Sequence, residues 1–332
     1  MTIAPGSLLK EIDLEKKEFL DYLELAAALK AQRRAGNERA RLTGRHVVLV
    51  FEKNSTRTRC AFEVAAADQG ARVTFIGASG SHVGKEESVA DTARVFGRLY
   101  DGIGFRGFAQ ESVELLAQHA GVPVWNALTD AWHPTQMLAD VLTMTEHHRG
   151  PLEEIAFCYT GDGRNNVARS LLITGALLGL DVRIAAPTDL QPPAELVAKA
   201  FELGTESGAR IHVTDDAATA VHGADFVYTD VWLSMGEAEE QWAARIDHLR
   251  PYRVTPEFLA GSGKADTKFL HCLPSLHNRL TEVGERLYQR FGLDGIEVSE
   301  AVFESPASIV FDQSENRMHT IKAVMVAALA RD

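Results

Sequence analysis

Ser55, Thr56, Arg57, Thr58 and Arg59 stand in a row shortly after the apolar run HVVLVF at 46–51. Three hydroxyls and two guanidiniums in so short a stretch form a donor set suited to an anion with several equivalent oxygens. The cluster falls where a buried strand hands over to a helix, so the unpaired N–H groups and positive dipole end of the first helical turn share its volume. Phosphate is the ligand these residue types fit, with Ser55, Thr56 and Thr58 as donors and Arg57 as a planar charged fork. A helix cap with surface arginines accounts for one hydroxyl but not for the set. No GxxxxGK[ST] sequence occurs, so a nucleoside triphosphate is not implied.

HPTQ at 133–136 is a second such place: it predicts His133 at a helix N-cap, Pro134 at the first helical position and Gln136 one turn in, with His133 and Gln136 aimed at one spot. Arg106 ends the apolar segment DGIGFRG. Taken singly, a histidine before proline is more often a cap, and an arginine at a strand end more often a surface charge. It is their conjunction with 55–58 that points to a site.

Such residues need a scaffold that collects strand ends. Short apolar runs alternate with longer helical patterns along the whole chain, which predicts an α/β fold with parallel sheets flanked by helices. In the first half HVVLVF, RVTFIG, DGIGFRG and VPVWNAL read as strands. EKKEFLDYLELAAALKAQRRAG, TRCAFEVAAADQGA, ESVADTARVFGRLY, ESVELLAQHAG and TQMLADVLTMTEHH read as helices, and HRGPLEE as a connector. In the second half EIAFCYTG, DVRIAAP, IHVTDD, ADFVYTDVW and KFLHCLP read as strands, with NNVARSLLITGALLG and PAELVAKAFELG as helices. After VFESPASIVF a terminal helix, ENRMHTIKAVMVAALA, is expected. A length of 332 residues with 45% hydrophobic composition fills two cores. The expected domains are 1–148 and 149–317, with a terminal helix over 318–332 packing back on the first. Open α/β sheets bind ligands at the C-terminal ends of their strands, where both polar clusters fall.

A net charge of -12 argues against nucleic acid or an anionic membrane as partner, so any anion site must be a local cluster. No signal-peptide pattern and no apolar run of membrane-spanning length occurs, and a soluble cytoplasmic protein is expected. Three cysteines, Cys60, Cys158 and Cys272, suggest neither a disulfide framework nor a CxxC metal site.

STRTR at 55–59, HPTQ, DVWLSMGE at 230–237, HCLP at 271–274 and ENRMHTIKAVM at 315–325 together resemble the ornithine carbamoyltransferases, nearly end to end. STRTR and HPTQ are similar to the wider carbamoyltransferase family, which includes the aspartate enzyme. That branch carries HPLP in place of HCLP and lacks SMG, so Ser234, Met235, Gly236 and Cys272 favour ornithine. The resemblance implies two domains of similar size, the first for carbamoyl phosphate and the second for ornithine, with the active site in the cleft between them. It implies that Ser55, Thr56, Arg57 and Thr58 hold the phosphate, and that Arg106, His133 and Thr58 polarise the carbonyl oxygen. Gln136 and the Leu273 carbonyl would receive the carbamoyl NH2, and His82 would come from a neighbouring subunit. Asn166 and the Met235 backbone would hold the ornithine α-carboxylate, and Asp230 with Ser234 the α-ammonium. Cys272 and Asp230 would surround the δ-amine, and Arg317 would orient the reacting centre. A homotrimer or a multiple of trimers is implied, with no metal or organic cofactor. Lys85, Glu86 and Asn278 are left without a role.

Each carried residue has a structural rival. Cys272 suits an inert thiol at a strand end; Asp230 and Ser234 suit turn caps; Asn165 and Asn166 suit helix caps; Met235 and Trp232 suit a core. Zinc on His271, Cys272 and His277 matches no standard spacing. A dinucleotide enzyme, suggested by YTGDGRNN, fails for want of the third glycine of GxGxxG. A catalytically silent relative and a transferase acting on putrescine remain as alternatives; a diamine has no α-carboxylate for Asn166 and SMG to hold.

Overall fold

The structure, a computed structural model, describes residues 3–79, 87–232 and 242–330. The chain divides into two compact units, Met1–Leu142 with Ser314–Asp332, and Thr143–Gln313.

The elements before residue 148 are α1 (Lys16–Arg34), β1 (His46–Phe51), α2 (Thr56–Asp68), β2 (Arg72–Ile76), α3 (Val89–Leu99), β3 (Gly102–Arg106), α4 (Gln110–Ala120), β4 (Val124–Leu128) and α5 (Pro134–His147). The strands form a parallel sheet in the order β2-β1-β3-β4. Five successive buried residues of β1, Val47 to Phe51, give it the continuous apolar character of a strand covered on both faces. Val48, Val50, Ile103 and Phe105 pack with Ala93 of α3 and with Val113 and Leu116 of α4. Helices α3 and α4 approach so closely that a Cβ on Gly97 would overlap the Ala120 carbonyl.

The same unit takes in the end of the chain, on α13 (Val310–Leu329). Lys322, wholly buried, holds Glu38 at 2.7 Å and Asp68 at 2.7 Å, and Lys30 donates to Asn316 Oδ1 at 2.7 Å. Burial alone would raise the Asp68 carboxyl, but Lys322 and Arg33 outweigh it and hold the group below its usual range.

The second unit contains β5 (Ala156–Thr160), α6 (Asn166–Leu178), β6 (Asp181–Ala185), α7 (Ala194–Ser207), β7 (Arg210–Thr214), α8 (Ala217–Val221), β8 (Phe226–Tyr228), α9 (Trp242–Leu249), α10 (Pro256–Ala260), β9 (Lys268–Leu270), α11 (Glu282–Phe291) and α12 (Glu300–Phe303). Its parallel sheet has the order β7-β6-β5-β8-β9. In each sheet the chain first winds to one side of a central strand and then crosses to the other. The crossover opens a switch point between β1 and β3 in the first and between β5 and β8 in the second.

Sequence periodicity predicts these two parallel α/β sheets, and the structure departs from it in detail. Helices α8 to α12 are not placed by the sequence pattern, which names only α6 and α7 among the helices between these strands; most are a turn or two long, too short for a 3.6-residue pattern to develop. Helix α13 begins at Val310, inside the run SIVF. Ile309 N–H still pairs with the Phe269 carbonyl at 3.0 Å, after which the chain turns helical. Strands β8 and β9 are only three residues long. Asp230 turns its own side chain onto Val231 N–H at 2.8 Å, and His271 N–H goes to the Gln313 side chain at 2.9 Å, so neither residue continues the ladder. Among the described residues no helix is long and apolar enough to cross a membrane.

Candidate active site

In the first unit, the candidate residues collect at the C-terminal ends of the strands. Ser55 is the N-cap of α2: its Oγ accepts from Thr58 N–H at 3.3 Å and donates to Thr58 Oγ1 at 3.0 Å. The cap orients the hydroxyl cluster over the first turn, with Thr58 buried, Ser55 and Arg57 half-buried and Thr56 exposed. Arg59 belongs elsewhere. Its guanidinium lies 2.8 Å from Glu63 and over the Phe75 ring at 3.9 Å, a surface arginine packed on an aromatic face.

Arg106 pairs with Phe51 across β1 and β3, and the register to β4 shifts between Phe105 and Arg106. Such a bulge re-aims the side chain at a strand end. His133 immediately precedes α5 and is 2% exposed. Burial pushes its pKa well below the ordinary 6.5, and the charges of Arg317 and Arg106 push the same way. His133 is therefore an uncharged imidazole at neutral pH, a donor beside two fixed cations. Gln136 turns its Nε2 to Asp140 at 2.7 Å, and its Oε1 is buried with no hydrogen-bond partner. An acceptor left in that state is expensive unless a ligand donor meets it. The charges of Arg106 and Arg317 thus both act on His133, while Ser55–Thr58 follow β1, the strand beside β3.

In the second unit, Asp230 follows β8 and Cys272 follows β9, and Cys272 Sγ donates to Asp230 Oδ1 at 3.2 Å. Burial raises the Asp230 carboxyl, while His271, Cys272 and Val231 N–H act against the rise. Asn165 is the N-cap of α6, accepting from Ala168 N–H at 2.8 Å and donating to Tyr159 Oη at 2.7 Å and to Asp230 Oδ2 at 3.4 Å. The capping role weighed for the asparagine pair thus falls to Asn165, while Asn166 opens the helix beside it. Leu273 has φ +58, and the Leu273–Pro274 peptide is cis.

Asp230, His271 and Cys272 bring potential metal-ligand atoms within 4.8 Å of one another. His271 Nδ1 is engaged by Leu273 N–H at 2.9 Å, and Nε2 lies 3.4 Å from Glu297 without a hydrogen bond, so the nitrogen nearer the Cys272 turn is already taken by the protein. His277 lies outside this group; its ring stacks on Phe303 at 3.6 Å. Asn278 is held locally, donating to Glu300 at 3.1 Å. His82, Lys85, Glu86, Ser234 and Met235 lie outside the described residues.

Sequence reasoning missed three supporting groups. Tyr159, fully buried, donates to the Asp162 carbonyl at 3.1 Å, and burial raises its phenol well above the usual range. Asp162 fixes the GDGRNN turn through Arg164 N–H at 2.9 Å and an ion pair with Arg245. Glu297 is wholly buried. The only sequence signal for it is an acidic residue between Ile296 and Val298.

Comparison with known proteins meets this geometry. A family model described as "Aspartate/ornithine carbamoyltransferase, carbamoyl-P binding domain" matches residues 7–146, and one described as "Aspartate/ornithine carbamoyltransferase, Asp/Orn binding domain" matches residues 153–328. The structure is similar to ornithine carbamoyltransferase from Pyrococcus furiosus, at 37% identity over 99% of both chains with a TM-score of 0.89. It is similar to that from Gloeobacter violaceus, at 36% identity over 99% of this chain and 100% of the other with a TM-score of 0.82. It is similar to the anabolic ornithine carbamoyltransferase from Campylobacter jejuni, at 31% identity over 97% and 98% of the chains with a TM-score of 0.86. With both of its units matched and its strand-end residues in place, the chain belongs to the aspartate/ornithine carbamoyltransferase family.

Proposed function

We propose that the protein transfers the carbamoyl group of carbamoyl phosphate to the δ-amine of L-ornithine, giving L-citrulline and phosphate. The observation that carries this reading is the buried, uncharged His133 under the influence of Arg106 and Arg317, in the same unit as the anion-binding start of α2.

On this reading Ser55, Thr56, Arg57 and Thr58 hold the phosphate, and Arg106, His133 and Thr58 stabilise the carbonyl oxygen as it becomes an oxyanion. An uncharged His133 can donate a proton-bearing nitrogen to that oxygen without adding a third cation to the two arginines. Gln136 Oε1 and the Leu273 carbonyl take the carbamoyl NH2. Asn166 and the Met235 backbone hold the ornithine α-carboxylate, and Asp230 and Ser234 the α-ammonium; an incoming cation would offset the penalty that burial places on the Asp230 carboxylate. The δ-amine, after losing its proton, attacks the carbonyl carbon between Asp230 and Cys272. The bond from the acyl carbon to the bridging oxygen then breaks, phosphate leaves with the electron pair, and it is a suitable acceptor for one of the two protons on the attacking nitrogen, the other staying on citrulline. Arg317 orients the reacting centre. We assign carbamoyl phosphate binding to residues 1–148, completed by the helix over 318–332, and ornithine binding to 149–317. The working form is a cytoplasmic homotrimer or a multiple of trimers in which His82 serves a neighbouring site, and no metal or organic cofactor takes part.

The test is a citrulline assay with carbamoyl phosphate, offering ornithine, putrescine and aspartate in parallel. Turnover of ornithine alone is expected. Turnover of putrescine instead would reassign the second unit, and no product with any of the three would make the chain a silent relative.

A further inference from the structure

Resting on that reading, we propose that Glu297 and His271 are positioning residues, a buried carboxylate–imidazole pair that fixes both sides of the turn carrying Cys272 and Leu273.

Glu297 is wholly buried, and two donors converge on its Oε1, Leu276 N–H at 2.6 Å and Ser275 Oγ at 3.0 Å, while His271 Nε2 lies 3.4 Å away without a hydrogen bond to it. Its Oε2 is buried with no hydrogen-bond partner, so the carboxyl group is kept at a desolvation cost that local packing does not explain. The two lone pairs of Oε1 hold a backbone N–H and a hydroxyl at once, an acceptor role that an aliphatic side chain lacks.

His271 carries the constraint to the other side of the turn. Its Nδ1 accepts from Leu273 N–H at 2.9 Å, so that nitrogen holds a lone pair and the proton of the uncharged ring sits on Nε2, facing Glu297. The backbone of His271 is itself tied to Gln313 Oε1 at 2.9 Å, and Gln313 Nε2 to Tyr228 Oη at 2.9 Å. Between these anchors Leu273 sits at φ +58, where a residue with a Cβ persists only if its surroundings over-determine it. Glu297 thus grips residues 275 and 276 directly and residue 273 through His271. The span from His271 to Ser275 bears the Cys272 thiol and the Leu273 carbonyl, the two groups assigned above to the reacting centre. A reactive geometry is sensitive to displacements well under 1 Å, so the pair acts on turnover more than on binding.

The test uses the full chain and compares wild type, Glu297→Gln and Glu297→Leu, with kcat normalised to folded protein by the amplitude of the thermal unfolding transition. Glu297→Gln keeps an acceptor oxygen and is expected within about threefold of wild-type kcat. Glu297→Leu is expected to lose tenfold or more in kcat, with KM for both substrates moved less than threefold. A purely structural role would lower the folded amplitude and leave normalised kcat unchanged, and that result overturns the proposal. If Glu297→Leu does not fold, 15N NMR of the wild-type imidazole decides: an Nε2–H tautomer at His271 is expected, and an Nδ1–H or doubly protonated ring at pH 7.5 overturns it. A wild type that makes no citrulline defeats the proposed reaction but not the tautomer assignment, so the two failures are distinguishable.

Discussion

Cys272 Sγ donates to Asp230 Oδ1 at 3.2 Å, joining residues 42 positions apart that stand just past the ends of the neighbouring strands β9 and β8. The thiol satisfies one oxygen of a buried carboxylate and sets where that carboxylate points.

Cys272→Ala should therefore lower kcat/KM for ornithine by about tenfold, roughly 1.4 kcal/mol, the scale of one hydrogen bond to a charged group. Cys272→Ser should recover most of the loss. Steady-state kinetics at saturating carbamoyl phosphate give the comparison; an alanine variant as fast as wild type would reduce the thiol to packing.

The nucleophile should show itself in the rate profile. An alkylamine with a pKa of about 10 is mostly protonated at neutral pH, and only its neutral form attacks. At subsaturating ornithine the rate should climb from pH 6.5 towards 8.5 and peak on the alkaline side. A profile flat across that interval would count against direct attack by the amine.

His133 should make the fold acid-sensitive. Its folded pKa is depressed below the ordinary 6.5, chiefly by burial. Below about pH 6.5 the unfolded chain therefore binds a proton that the folded one refuses. The stability it contributes is present above the unfolded value and is lost as pH falls towards the folded one, at up to about 1.4 kcal/mol per pH unit. Between pH 6.5 and 5.5, urea unfolding should show His133→Asn losing about 1 kcal/mol less than wild type. Equal losses would mean that the ring is protonated in the fold. Burial shifts His277 and His319 in the same direction, so part of the sensitivity should remain in the variant.

Lys322→Met should destabilise the first unit by about 3 kcal/mol, because it leaves Glu38, with a side chain only 9% exposed, without its cation. Asp68 is more exposed and keeps Arg33 at 2.8 Å, which limits the damage. Adding Glu38→Gln to Lys322→Met should return part of the loss, a coupling that a double-mutant cycle would read. A single-variant cost below about 1 kcal/mol would show that water reaches the cluster.

Much of this was legible in the sequence, for a specific reason. A strand covered on both faces must be apolar throughout, and the polar residue that ends it is conspicuous. Ser55 after HVVLVF marked a strand end by contrast and Arg106 after IGF gained weight in conjunction with it, whereas Asp230 after FVYT took its role from family resemblance. The boundary was missed at SIVF, placed before the terminal helix, where Ile309 N–H pairs with the Phe269 carbonyl but Val310 begins the helix and Phe311 is 66% exposed. Cys272 and Arg317 gained their roles from family resemblance, since a thiol and an arginine of those surroundings fit many uses. Glu297 was illegible because nothing in IEVSE states that the carboxylate will be buried. That follows from Leu276, Ser275 and His271 converging on it from a distant segment. Arg59, prominent in STRTR, was pulled away by Glu63 one helical turn on and by the Phe75 ring.

The inclusion of Ser314–Asp332 in the first unit has a consequence for vectorial synthesis. When residues 1–142 leave the ribosome, Lys30 lacks Asn316, and Glu38 and Asp68 lack Lys322. The whole of Thr143–Gln313 must be translated before those partners emerge, a delay on the order of ten to thirty seconds at about 5–20 residues per second. The nascent N-terminal unit therefore waits with Glu38 lacking its lysine and Asp68 held by Arg33 alone, while the unit made later has its complete sequence first. Final consolidation of the N-terminal unit waits on the emergence of residues 314–332, and a truncation that removes them should arrest the half of the protein that was synthesised earlier.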